Sequence, residues 1–223
     1  MTSKPETDFA TYAYEKIKQM IIDKKLLPGE KIQQEELSKE LGVSRTPLIM
    51  ALNMLRSEKL VEAELNKGFT VRKFSLKEIA DIWTLRTAIE RMVIEEITPK
   101  ITAAEAAVLR EIFKGFGPPW GEQSYSDYTR ADRKFHNQLL KMSTNAFIPQ
   151  VAQLFDIVRW SYQDGLVRFP EETLEEHRKI IDALEANDTE VAVNLITIHH
   201  SKSKERLEFE LRQFAKLSAL IKV

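Results

Sequence analysis

The stretch Leu41-Gly42-Val43-Ser44-Arg45-Thr46-Pro47-Leu48-Ile49-Met50-Ala51-Leu52-Asn53-Met54-Leu55-Arg56-Ser57 decides the fold of the first third of the chain. Gly42 stands where a helix ends in a left-handed residue, the conformation glycine adopts at least cost. Two residues later Ser44 is a good N-cap, and Pro47 is tolerated in the first turn of the helix that follows. Leu48, Ala51, Leu52 and Leu55 repeat at helical spacing and give that helix one apolar face. Upstream, Gln33–Leu41 reads as a short helix with Leu37 and Leu41 on its apolar side. Before it, Thr11–Lys25 reads as a longer helix through Tyr14, Ile17, Met20 and Ile21, stopped by Leu27-Pro28-Gly29. Downstream the period shortens to β-leaning runs, Leu60–Leu65 and Phe69–Phe74, around Asn66-Lys67-Gly68, a compact hairpin signal. Helix, helix, glycine turn, helix, hairpin is the order of a winged helix-turn-helix.

From Ser75 onward the pattern is helical. Three sequences of capping-box type mark expected helix starts: Ser75 with Glu78, Thr102 with Glu105, and Thr173 with Glu176. Gly115–Gly121, with Pro118-Pro119 inside, reads as a loop, and further helices are predicted over Tyr125–Met142, Phe147–Gly165 and Asp188–Phe214. The expected architecture is mainly α. A winged helix-turn-helix occupies residues 1–74, and an all-α bundle of about six helices occupies residues 75–223.

Composition narrows the function. A length of 223 residues allows one large domain or two small ones, and 43% apolar with 30% charged residues is the balance of a folded chain. With no cysteine there is no disulfide framework, no thiol nucleophile and no Cys-rich zinc site, so any metal site is built from His, Asp and Glu. No apolar run reaches the length of a membrane span, and the opening MTSKPETDFATY lacks the apolar core of a secretory signal. A cytoplasmic protein without membrane association is expected. The net charge of −1 argues against a chain coated in phosphate contacts, yet leaves room for a local basic surface.

A recognition helix enters the major groove with its N-terminus, so Ser44, Arg45 and Thr46 stand where phosphates and base edges would be met. Lys67 and Gly68 sit at the tip of the hairpin, where a wing approaches the duplex. The same residues also serve a plain helix cap and a tight turn, and spacing alone leaves both readings open.

The motifs Pro28-Gly29-Glu30, Glu36-Leu37-Ser38, Leu41-Gly42-Val43-Ser44-Arg45-Thr46-Pro47, Leu60-Val61 and Gly68-Phe69-Thr70-Val71 resemble the GntR superfamily of bacterial transcription regulators. The resemblance covers nearly all of residues 11–73. It implies binding to a double-stranded DNA operator through Arg45 and Gly68, with Ser44, Thr46 and Lys67 beside them. Two positions depart from the pattern, Ile49 and Glu35, where the family often carries arginine. Each lost cation weakens the salt-dependent attraction to phosphate, whereas an isoleucine offers contact to a thymine methyl.

All four histidines lie in the helical part. Asp132 and His136 are four apart and share a helix face. His177 shares a face with Leu174, Ile180, Ile181 and Leu184, and His199 with Ala192, Leu195 and Ile196, so both point inward. His200, turned about 100° further round, is expected at the solvent or behind a ligand. An inward histidine is commonly a satisfied core residue. Three of them with a carboxylate are costly to bury unpaired, and a shared cation removes that cost. Nitrogen and oxygen donors without sulfur suit Zn²⁺, with Ni²⁺, Co²⁺ or Mn²⁺ as alternatives.

Residues 76–215 are similar to the FCD ligand-binding domain of the FadR-type branch of that superfamily, through Leu85-Arg86 with Glu90, Asp132 with His136, Asn145, Glu176-His177-Arg178, and His199. The resemblance implies a divalent metal ion held by Asp132, His136, His177 and His199 at the base of an effector pocket. It also implies a small carboxylate metabolite as effector and a homodimer acting as a transcription repressor. Arg86 is a candidate anchor for the effector carboxylate, or else a structural partner of Glu90 one turn on. Two alternatives stand beside this reading. One is a protein-interaction module with a structural metal and a degenerate DNA face. The other, a metal-dependent hydrolase, has against it the lack of an HExxH motif, a serine nucleophile motif or a P-loop.

Overall fold

The computed structural model describes residues 6–64, 67–152, 155 and 168–221. The chain divides after Ser75 into two bodies. The first contains α1 (Glu6–Ile22), α2 (Gln34–Leu41), α3 (Arg45–Ser57), β1 (Val61–Glu64) and β2 (Gly68–Val71). Helix α1 starts earlier than its large apolar residues suggest, because Ala10 and Ala13 continue the buried row of Tyr14, Ile17 and Ile21 toward the N-terminus. Gly42 ends α2 in the left-handed region, at φ 65°, as the glycine signal predicts. Ser44 takes the N-cap position of α3 in extended conformation, but its side chain makes no capping bond. Pro47, Leu48, Ala51, Leu52 and Leu55 form the buried face of α3.

The hairpin pairs antiparallel, with Val61 opposite Val71 and Glu64 opposite Gly68. The segment after Pro28, expected only as a breaker, adds to this sheet. Ile32 donates to the Phe69 carbonyl at 2.8 Å, Gly29 to that of Val71 at 2.8 Å, and Val71 back to Glu30 at 2.9 Å.

The second body contains α4 (Leu76–Ile97), a 3₁₀ turn (Thr98–Lys100), α5 (Ala103–Ile112), α6 (Glu122–Met142), α7 (Pro170–Glu185) and α8 (Thr189–Ile221). A further helical stretch begins at residue 148, and most of the helix expected over Phe147–Gly165 lies outside the described residues. The core joins Val93, Ile94 and Ile97 of α4, Leu109 of α5, Phe135 and Leu139 of α6, Ile180 and Leu184 of α7, and Ile196 of α8. The mainly-α architecture expected from the sequence, a winged helix-turn-helix followed by a helical bundle, is what the chain forms.

The expected capping boxes fared unequally. Thr102 and Glu105 form one at α5. Thr173 does not start α7: Pro170, with its φ already helical, opens the helix three residues earlier, and Glu172 accepts from the Phe169 N–H at 3.2 Å. That frees Thr173 and Glu176 for the interior. Helix α8 opens on Asp188, whose Oδ1 accepts from the Val191 N–H at 3.1 Å, and runs past Phe214. No described helix is long and apolar enough to cross a membrane.

Candidate metal centre and nucleic-acid interface

In the first body, burial of the apolar side of α3 turns Ser44, Arg45 and Thr46 to the solvent. Arg45 lines one open cleft of about 480 Å³ together with Lys67 and Gly68 of the hairpin and Lys31, Gln34, Glu35 and Glu36. The start of the recognition helix and the tip of the wing therefore face a common space. Lys67 is exposed and pairs with Glu64 across the turn at 2.5 Å, a pair weak enough to exchange for a phosphate. Gly68 has φ +88°, and a Cβ there would stand 3.2 Å from Gln34 Nε2, so both backbone and packing call for glycine. Glu35 adds acid where a cation would draw phosphate, and Ile49 is half-buried. Beyond it Met50 and Met54 extend the exposed side of α3 in apolar character.

In the second body, α6, α7 and α8 bring His136, His177 and His199 together. Each offers a nitrogen within 4.8 Å of the others. Asp132 Oδ1 lies 3.5 Å from His177 Nε2 and 3.9 Å from His136 Nε2. The hydrogen bonds on the far sides of the rings set the tautomers. His136 Nδ1 meets Glu90 Oε2 at 2.5 Å, and His199 Nδ1 meets Glu176 Oε2 at 2.9 Å. A carboxylate only accepts, so in both rings Nδ1 carries a proton and Nε2 is the nitrogen left to face another partner.

His177 reaches the same state through neutral groups. Its Nδ1 is 2.9 Å from the Tyr128 hydroxyl, which is 2.9 Å from Thr173 Oγ1, which donates to the Phe169 carbonyl at 3.2 Å. The chain ends on a carbonyl, which cannot donate. Thr173 therefore accepts from Tyr128, Tyr128 accepts from His177 Nδ1–H, and His177 Nε2 keeps its lone pair. Burial pushes the Tyr128 phenol up, so it remains a hydroxyl. His177 Nε2 is correspondingly a buried atom without a hydrogen-bond partner.

Burial also pushes His177 well below the usual imidazole range and His199 down to about 4, so these rings are neutral near pH 7. The Phe113 ring stacks on His177 at 4.7 Å and 9°. Three ring nitrogens and the Asp132 carboxylate thus lie close together, and the buried His177 Nε2 among them has no donor. That is the chemistry a divalent cation completes, and the residues present fit one.

Other residues singled out by the sequence take up roles around this centre. Arg86 donates through Nε to Glu90 Oε1 at 2.7 Å, the structural pairing of its two alternatives. His200 is not at the solvent. It is fully buried, its Nε2 is 2.9 Å from Glu90 Oε2, and burial pushes it down to about 4. Glu176, expected only in the capping signal with Thr173 and in the motif beside His177, serves α8. It accepts from His199 at 2.9 Å, from Arg168 at 2.8 and 2.9 Å, and from Lys202 at 2.8 Å. Sequence reasoning missed Glu90, Glu176 and Tyr128 as supports of the histidines. Only Glu90 carried a signal: it continues the stripe of Trp83, Val93, Ile94 and Ile97, where a carboxylate needs a partner.

Comparison with known proteins matches residues 9–71 to the model of bacterial regulatory proteins of the gntR family and residues 81–202 to the FCD domain. The chain is 25% identical over 212 residues to the HTH-type transcriptional regulator YdhC of Bacillus subtilis (strain 168), spanning 93% of this chain and 94% of that protein. It is 32% identical over 137 residues to the Nta operon transcriptional regulator of Aminobacter aminovorans, spanning 60% of this chain and 65% of that one. Among solved structures, E. coli McbR/YncC superposes with a TM-score of 0.73 at 19% identity, over 94% of this chain and 99% of that one, a likeness of fold.

Proposed function

Because the chain belongs to the GntR family of bacterial regulatory proteins, with an FCD domain after its DNA-binding unit, we propose that it is a repressor whose operator affinity is set by a small organic acid bound at a divalent metal ion. It is a DNA-binding transcription regulator and not an enzyme. Asp132, His136, His177 and His199 would hold the metal. An N₃O donor set without sulfur suits Zn²⁺ first, with Ni²⁺, Co²⁺ or Mn²⁺ as alternatives. The ion, when bound, supplies a Lewis-acidic anchor for a carboxylate. Arg86 stands as a second anchor, able to exchange Glu90 for a ligand oxygen. Ser44, Arg45, Thr46, Lys67 and Gly68 would meet the operator. A homodimer would present two such units to a pseudo-palindromic site.

The observation that carries this reading is the convergence of His136, His177 and His199 beside Asp132, each ring held by a partner on Nδ1, with the buried His177 Nε2 left without one. An effector shifts operator binding only by the difference in its affinity for the DNA-competent and DNA-free arrangements. Elemental analysis of the purified protein beside an Asp132→Ala/His177→Ala double variant tests the centre. One divalent ion per chain, lost in the double variant, is expected, and no ion in either protein after reconstitution would refute it. Anisotropy of a labelled operator, titrated with a panel of small carboxylates, then identifies the effector. Expression from a reporter operon gives the sign of regulation, which repression requires to fall on adding the protein.

A further inference from the structure

We propose that Glu90 is a positioning residue for the metal centre, which holds the ligand His136 in its coordinating tautomer from helix α4. The inference rests on the metal reading above and extends it to a residue outside the four ligands. Among the described residues a second set, Glu90, His136 and His200, also converges closely enough to suggest a metal. Its hydrogen bonds say otherwise. Glu90 Oε2 accepts from His136 Nδ1 at 2.5 Å and from His200 Nε2 at 2.9 Å, while Oε1 accepts from Arg86 Nε at 2.7 Å. A cation at this carboxylate would have to displace a donor already in place. Glu90 is therefore built to receive N–H groups, and not to ligate.

A fully buried carboxylate is costly unless it is paired and hydrogen-bonded, and a glutamine or an apolar residue would fill the same space at lower cost. What only the carboxylate does is force the proton of His136 onto Nδ1, aim the bare Nε2 at the centre and raise the basicity of the ring. The three donors around it, from His136, His200 and Arg86, fill the carboxylate from both oxygens. His200 shares the oxygen that holds His136 and keeps it in place. Its own Nδ1 is left buried without a partner, and its carbonyl accepts from Trp83 Nε1 at 3.1 Å. Trp83, Arg86 and Glu90 thus lie on one row of α4 and all contribute to this network.

The test uses the full chain as wild type, Glu90→Gln and Glu90→Asp, each titrated with Zn²⁺ against a chromophoric chelator, with the visible spectrum of each Co²⁺ form recorded in parallel. A glutamine amide can accept or donate and so does not compel the tautomer, and Glu90→Gln is expected to bind Zn²⁺ roughly 10- to 100-fold more weakly and to alter the Co²⁺ bands. Glu90→Asp, charged but shorter, is expected to fall between. A Glu90→Gln protein with wild-type Zn²⁺ affinity, or with weakened binding but an unchanged Co²⁺ spectrum, overturns the proposal. The second pattern is that of a residue that only packs. If Glu90→Gln does not fold, Glu90→Asp decides by the same two criteria. Wild-type protein that binds neither ion refutes the metal reading itself, and this inference with it.

Discussion

Metal-free protein should lose stability in its second body as the medium is acidified through the range where free imidazoles titrate. Burial pushes His199 and His200 down to about 4 and displaces His177 in the same direction. An unfolded histidine titrates near 6.5, so on acidification the unfolded chain takes up protons before the folded one does. The associated stability is complete above the unfolded value and is lost as the pH falls from there toward the folded values. Between about pH 7.5 and about pH 5.5 each such group contributes a loss of roughly 1.3 kcal/mol, whatever its folded value, provided that lies well below the lower pH.

Three groups therefore give roughly 4 kcal/mol, which at a urea dependence of about 2–3 kcal/mol per molar moves the midpoint by roughly 1.5 M. Glu90 and Glu176, both held below the usual carboxylate range against the effect of burial, lose their contribution only at more acidic pH, outside this window. Trp83 and Trp120 lie in the second body, and their fluorescence reports on it. Chelator-treated protein would be unfolded in urea at both pH values. A midpoint that moves by less than about 0.3 M would refute the neutral, desolvated imidazoles on which the argument depends.

Three further outcomes are expected. Arg45→Ala should weaken operator binding and lower the slope of log affinity against log salt by about one; anisotropy across a salt series with an unchanged slope would remove Arg45 from the phosphates. Gly68→Ala, which puts a Cβ at φ +88° and 3.2 Å from Gln34 Nε2, should destabilise the first body by about 1–2 kcal/mol in thermal circular dichroism. A wild-type melting temperature there would show that the turn relaxes freely. Tyr128→Phe keeps the packing but removes the acceptor of His177 Nδ1–H, so chelator competition should show metal affinity about tenfold lower. Wild-type affinity would mean that another group fixes that ring.

The first body was legible because its signals are local. Gly42 ends a helix through its own backbone freedom, Pro47 fits a first turn, and Leu48, Ala51, Leu52 and Leu55 meet on one face because a helix repeats every 3.6 residues. The inward direction of His136, His177 and His199 was legible for the same reason. Pro170 opened α7 ahead of the Thr173 signal because a fixed φ starts a helix on its own, a competition between local cues that pattern alone did not rank. The apolar stripe of α4 marks Glu90 as a carboxylate in need of a partner, but which groups support which histidine was beyond any local rule. Glu90 meets His136 across 46 residues and His200 across 110, Tyr128 meets His177 across 49, and Glu176 meets His199 across 23. Helical periodicity says which way a side chain leaves its own helix, and nothing about which neighbour it finds. The sequence by itself thus determined the two kinds of fold and the three inward histidines. Which nitrogen of each ring carries the proton was decided only by how α4, α6, α7 and α8 pack.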